Sequence, residues 1–176
     1  MGLIKKHLPV KLIIAITYHP GIDVETVISE LENLKLFVDK RSEIYEFSEF
    51  TSYYEMEMGS NLKKCFITFF DLIAPEELPA IKTKTNILEE KYNINNKRQV
   101  NIDPGYITQA KLILATTKNY SHRIYIGNGI FGDVHMHFKN KSYQSQSWTY
   151  PDYKDGNNVN FFNAVRQRYL EQLRNP

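Results

Sequence analysis

RQVNIDPGYITQAKLILATTKNYSHRIYIGNGIFGDVHMHF, Arg98 to Phe138, is the stretch that decides the fold. Val100 to Ile102 is β-branched and short, and it leads into Asp103-Pro104-Gly105-Tyr106. Pro followed by Gly at the centre of four residues predicts a type II turn, with Asp at its first position. Ile107 to Thr117 (ITQAKLILATT) suits a helix by its Ala, Leu and Lys and a strand by its Ile and Thr; the strand is the preferred reading. His122 to Ile126 and Ile130 to Phe138 form a hairpin joined through Gly127-Asn128-Gly129, because a tight hairpin turn needs positive φ, which Asn and Gly adopt at low cost. Strand thus follows strand with no helix between them. That excludes strict alternation of strands and helices and predicts an α+β fold with a mixed or largely antiparallel sheet.

Upstream, Val10 to Tyr18 (VKLIIAITY) is almost continuously apolar, as a strand buried on both faces should be. Asp23 is a good N-cap for a helix from Val24 to about Leu36, whose Val24, Val27, Ile28, Leu31 and Leu34 keep to one side. Ser42 to Phe50 (SEIYEFSEF) reads as a strand, Tyr53 to Gly59 has no clear assignment, and Lys64 to Asp71 (KCFITFFD) is a further strand. A helix starts at Pro75-Glu76-Glu77 and runs to about Asn93, with Leu78, Ile81, Thr85, Leu88 and Tyr92 on one side. Downstream, Trp148 to Tyr153 is an aromatic loop, and Asn158 to Leu173 is a closing helix. The expectation is one α+β domain over residues 1–176 with about three helices packed on the sheet, frayed over 1–9 and 174–176.

The composition is that of a folded globular chain, 42% hydrophobic and 24% charged over 176 residues. A net charge of +2 is too small to argue for nucleic acid or an anionic membrane. The distribution says more. Glu43, Glu46, Glu49, Glu55 and Glu57 fall in a run without Lys or Arg, whereas Lys97, Arg98, Lys111, Lys118 and Arg123 share their stretch with Asp103 alone. A single cysteine, Cys65, excludes an internal disulfide and a cysteine metal cage, and its apolar setting makes it a buried hydrophobe. The first apolar run is short, ends at Thr17 and Tyr18 and has no small-residue cleavage site, so neither a signal peptide nor a membrane span is expected. The expected compartment is the cytoplasm.

Several motifs carry possible chemistry. Gly127-Asn128-Gly129-Ile130-Phe131-Gly132 matches the dinucleotide fingerprint by letter, but a strand rather than a helix follows, so it reads as a hairpin. The chain contains neither a P-loop nor the N-K-x-D guanine-reading motif. A rigid turn would fix the Asp103 carboxylate and the Tyr106 hydroxyl as a general acid/base pair or a metal anchor. Thr116-Thr117-Lys118 and Ser121-His122-Arg123 bring hydroxyls, an ammonium, an imidazole and a guanidinium to one loop, the donor set that binds phosphate or carboxylate. The His122 imidazole would shuttle protons. Asp133, His135 and His137 alternate on one strand face, which reads as a polar, solvent-facing strand, with divalent metal binding as the sharper alternative. Trp148 and its neighbours would seal the core or stack on a ring.

V-N-I-D-P-G-Y, A-K-L-I-L-A-T-T-K-N-Y-S-H-R-I-Y-I-G, W-T-Y-P-D-Y and Y-Y-E-M-E-M-G together resemble the uncharacterised bacterial proteins grouped as domain of unknown function 4416, some of which carry the label GTP-binding protein. The resemblance covers nearly the whole chain. It implies that Asp103, Gly105, Tyr106, Thr117, Lys118, His122, Arg123, Tyr150, Pro151 and Asp152 belong to the family pattern, and that His135 and His137 do not. The reading that follows is a small anionic ligand, such as a nucleotide or phosphorylated metabolite, in a cytoplasmic domain with or without catalysis. Asp103, His122 and Tyr106 are its candidate catalytic residues. Lys118, Arg123, Thr117, Asp152 and Trp148 are its candidate ligand-binding residues, with Glu55 and Glu57 as weaker acidic candidates. The alternative is a non-catalytic module that binds RNA or a protein partner.

Overall fold

The structure is a computed structural model that describes residues 2–33 and 37–174. Its centre is β1 (Val10–Tyr18), every residue of which is buried. Val10, Leu12, Ile14 and Ile16 face one layer of helices, and Ile13 and Ala15 face the other. This is the alternation that a strand buried on both faces requires. On one side lie α1 (Val24–Glu32), capped by Asp23 through the amide of Glu25, and α3 (Leu78–Lys91). On the other lies α4 (Gly156–Arg174), which packs Phe162 and Val165 against Phe66 and Leu112. A one-turn helix, α2 (Glu55–Met58), tucks Met58 beneath Phe47 and Leu62. The further extension of α1 to Leu36 and the fraying of residues 1, 175 and 176 concern positions outside the described residues. Among the described residues no helix is long and apolar enough to cross a membrane.

Among the described residues the sheet has nine strands, all antiparallel, as an α+β fold with clustered strands should. β1 sits between β4 (Lys63–Ile73) and β5 (Val100–Ile107). Beyond β5 come β6 (Lys111–Thr116), β8 (Ile130–Lys139) and β7 (Arg123–Gly127); β2 (Val38–Arg41) and β3 (Tyr45–Glu46) add to β4, and β9 (Ser142–Ser145) adds to β8. The hairpin between β7 and β8 turns through Gly127, Asn128 and Gly129, all at positive φ.

Two assignments are corrected. The strand expected from Ser42 to Phe50 is only Tyr45–Glu46, after which the chain curls into a 3-10 turn at Phe47–Glu49. Burying Phe47 against Met58 and Leu62 draws the chain inward, and the Phe47 amide donates to Leu62 O at 2.7 Å. Asp103-Pro104-Gly105-Tyr106 is not a turn but the middle of β5. Eight consecutive pairs with β1, from Lys11–Ile107 to Tyr18–Val100, hold it extended, so tertiary pairing overrides the local turn preference.

The β5–β6 junction positions the site. These strands pair only over Gly105–Ile107 and Leu112–Leu114. From Pro104 back to Val100, β5 has β1 on one side and, among the described residues, no strand on the other, while β6 continues on β8. Pro104, which lacks a backbone donor, falls in this one-sided stretch, where a proline is best tolerated. Gly105 marks the hinge of the fork, because a Cβ there would lie 2.1 Å from Ile113 O. The gap between the parted strands is the cleft described next.

Candidate functional site

The cleft has two lobes that share Tyr54, Asp103, Lys118, Arg123 and Tyr150. The polar lobe, about 330 Å³, is walled by Asn101 and Asp103 of β5, Ala115 and Thr116 of β6, Thr117 beyond it, and Lys82, Asn86 and Glu89 of α3. The aromatic lobe, about 210 Å³, is walled by Phe47, Tyr53, Tyr54, Tyr120 and Tyr150, with Thr17, Lys64 and Asp152 completing it. Asp103 pairs across the ladder with Ala15, whose side chain packs on the α4 side. Lys82 comes from α3 on the other side, and it reaches Asp103 where β6 no longer covers β5.

Most charges in the cleft are compensated. Lys82 Nζ donates to Ile102 O at 2.8 Å and to Asp103 Oδ1 at 3.1 Å, with Glu89 Oε1 at 3.5 Å. Asn101 Nδ2 donates to Asp103 Oδ2 at 2.7 Å. Desolvation alone would raise the Asp103 carboxyl, but the Lys82 ammonium and these hydrogen bonds hold it below the ordinary carboxylate value. Glu89 goes the other way, pushed up by burial despite Lys82. Arg98 donates to Glu89, Asn101 and Glu57 at 3.1, 2.7 and 2.9 Å, so Glu57 and Arg98, taken from the acidic and basic runs, do meet.

The loop after β6 presents the cations. Lys118 N donates to Thr116 Oγ1, Arg123 N donates to Tyr120 O, and Arg123 Nη1 donates to Lys118 O at 3.1 Å, so the loop is tied to itself. Arg123 Nε donates to Asp133 Oδ2 at 3.1 Å and its Nη2 to Tyr150 Oη at 3.3 Å. Lys118 is different. Among the described residues its ammonium meets no carboxylate; it donates to Tyr53 Oη at 2.9 Å and lies 5.1 Å from the centre of that ring. Burial pushes the Tyr150 hydroxyl up to about 12 and the Tyr54 hydroxyl higher still. Neither phenol trades a proton near neutrality.

At the floor of the aromatic lobe Lys64 and Asp152 form a buried pair. Lys64 Nζ lies 2.6 Å from Asp152 Oδ2, which also accepts from Tyr45 Oη at 2.9 Å. The rings of Phe47 and Tyr153 each stand 4.8 Å from the ammonium.

A family model described as Domain of unknown function (DUF4416) matches residues 8–169. The chain belongs to this family. No curated protein and no solved structure matches it significantly.

Of the residues named from the sequence of this DUF4416 member, Asp103, Thr117, Lys118, Arg123 and Asp152 line the cleft. Tyr106, His122 and Trp148 do not. Being three residues from Asp103 on a continuous strand, Tyr106 projects to the opposite face, where it packs against the α1 and α3 core. The proposed Asp103–Tyr106 pair therefore has no common site. His122 lies beside Asp133, Nε2 to Oδ2 3.3 Å, and stacks on Trp148 with centroids 4.9 Å apart. Trp148 donates to Val134 O at 3.1 Å, so one face of its ring and its N–H are already engaged.

The strand carrying Asp133 and His135 is not solvent-facing, which corrects the reading of a polar exposed face. Asp133 is 2% exposed and His135 fully buried, because Thr149 to Tyr153 folds over them. Nε2 of His135 accepts from the Tyr150 amide at 3.0 Å, which leaves the proton on Nδ1, 3.4 Å from Asp133 Oδ1. Burial pushes the His135 pKa down against the pull of Asp133. Among the described residues no group of three or more His, Cys, Asp or Glu side chains is arranged to hold a metal ion.

Sequence reasoning missed Lys82, Glu89, Tyr54 and Lys64. Lys82 and Glu89 stand in step with Leu78, Thr85 and Tyr92, inside the buried stripe of α3. A charged pair seven residues apart on an apolar face is a readable sign of buried partners.

Proposed function

We propose that the cleft binds a small anionic ligand, such as a nucleotide or phosphorylated metabolite, with Lys118 and Arg123 holding the anion. The observation that carries this reading is Lys118: an ammonium at the junction of both lobes, facing no carboxylate among the described residues, beside a guanidinium that Asp133 and Tyr150 hold in place. A cation left without an opposite charge favours an anion arriving from solution, and Arg123 beside it supplies directional donors. Asp103, kept ionised by Lys82, serves as an acceptor for ligand hydroxyl or N–H groups rather than as a proton-transfer group. Binding therefore has more support than catalysis. An RNA-binding module has less, because Trp148 is engaged by His122 and Val134 and most of the cleft cations are paired.

Thermal unfolding with nucleotides and sugar phosphates tests the reading. Stabilisation of the wild type is expected, reduced in Lys118→Ala, whose exposed side chain leaves the fold intact. Equal stabilisation of the variant, or none by any anion, would reject it.

A further inference from the structure

Four buried side-chain polar atoms among the described residues have no hydrogen-bond partner, and two of them belong to residues lining this cleft: Arg98 Nε in the polar lobe and Asp152 Oδ1 in the aromatic lobe. Buried polar atoms are normally paired, so an orphan calls for a physical reason. Asp152 is the sharper case. Its side chain is 1% exposed, its Oδ2 is fully engaged by Lys64 and Tyr45, and its Oδ1 accepts from nothing. Asn158 Nδ2 donates to the Asp152 main-chain carbonyl rather than to this oxygen. A carboxylate oxygen placed this way accepts a hydrogen bond and can donate none.

The walls around it favour a flat partner. Tyr53, Tyr54, Tyr120 and Tyr150 line the lobe with aromatic rings, Tyr53 and Tyr120 each carrying a cation, Lys118 and Arg123, over one face, and these two cations also line the polar lobe. From this we infer that the ligand carries a planar nitrogen heterocycle, that the ring enters the aromatic lobe and that an N–H on its edge donates to Asp152 Oδ1. The inference rests on the anion reading above and deepens it: the anionic group and the ring belong to one molecule, the chemistry of a nucleotide rather than of a plain sugar phosphate. A ring without a donor leaves the oxygen unpaired and forfeits the gain. The lobe thereby selects against it.

Calorimetric titration of the full chain tests this with inorganic phosphate, ribose 5-phosphate and the adenosine, guanosine, cytidine and uridine 5′-monophosphates. At least one nucleotide is expected to bind tenfold or more tightly than ribose 5-phosphate. Asp152→Asn should shrink that gap to under threefold, read as the ratio of nucleotide to ribose 5-phosphate within the variant, because the unpaired Lys64 raises the affinity for both. Because the variant disturbs the Lys64 pair and can fail to fold, a second measurement uses the wild type: the best nucleotide with its base N–H groups methylated should lose tenfold. Ribose 5-phosphate binding as well as every nucleotide, or an unchanged affinity after methylation, overturns this inference and leaves the anion reading standing. Absence of binding by all six probes overturns both.

Discussion

Gly105→Ala probes the fork between β5 and β6, on which the whole site depends. A Cβ at this position would stand 2.1 Å from Ile113 O and 2.9 Å from Leu114 Cδ2. The first distance falls short of ordinary contact by more than an ångström, and the obstacle is main chain. It cannot swing aside as a flexible side chain would. Overpacking a well-fitted interior costs roughly 1–3 kcal/mol and occasionally more; a backbone obstacle in a pairing of three residue pairs puts this change at the upper end, about 3 kcal/mol. For a chain of this size that is a fall in Tm of roughly 6–12 °C. Differential scanning calorimetry would read it directly, with Gly156→Ala as the control, since nothing lies within 4 Å of a Cβ at Gly156. The control should match or slightly exceed the wild type. A Gly105→Ala protein that melts with the wild type would show that β5 and β6 do not approach closely at this point, and the forked cleft would lose its structural basis.

Two further perturbations follow from the buried charges. Lys64→Met strips Asp152 of its ammonium inside an aromatic enclosure, so urea denaturation should show a loss of about 3–5 kcal/mol; the double variant Lys64→Met/Asp152→Leu should recover part of it, since removing both charges leaves neither unpaired. A single variant as stable as the wild type would mean that water reaches the pair. His135 makes stability depend on pH. Its folded-state pKa lies below the ordinary 6.5, so its contribution is complete above that value and is lost as pH falls through the folded pKa. Within that window the slope is at most about 1.4 kcal/mol per pH unit. His135→Gln, with an acceptor for the Tyr150 amide but no titrating ring, should flatten the fall between pH 7.5 and 5; an identical pH profile in the variant would contradict the buried neutral imidazole.

Where local chemistry and tertiary structure agree, the fold is legible from the sequence. The almost continuous apolar run of β1, the Asp23 cap and the glycine hairpin each impose their own conformation, and each appears as expected. The readings that fail do so where distant contacts decide. Asp103-Pro104-Gly105-Tyr106 has turn chemistry, yet pairing with β1 stretches it into a strand. That one change separates Tyr106 from Asp103. The alternation of Asp133 and His135 is correct, but nothing local shows that the segment after Trp148 returns to cover them. β9 is too short and polar to announce itself, although Asn140 and Lys141, both at positive φ, make its turn. The site is legible in part for the same reason. Lys118 lies in the loop after β6 and Arg123 opens β7 just beyond it, so they can be found together, whereas Lys82, Lys64 and Tyr54 reach the cleft from elements far away in the chain.

The most direct test of the central claim is an NMR titration of the wild-type protein with ribose 5-phosphate, followed through backbone amides. If Lys118 and Arg123 hold the anion, saturable shifts should concentrate at Thr116 to Arg123, at Asn101 and Asp103, and at Tyr150. Shifts confined to other surfaces, such as the groove beside Phe70 and Arg168, or a spectrum unchanged at saturating concentrations, would contradict it.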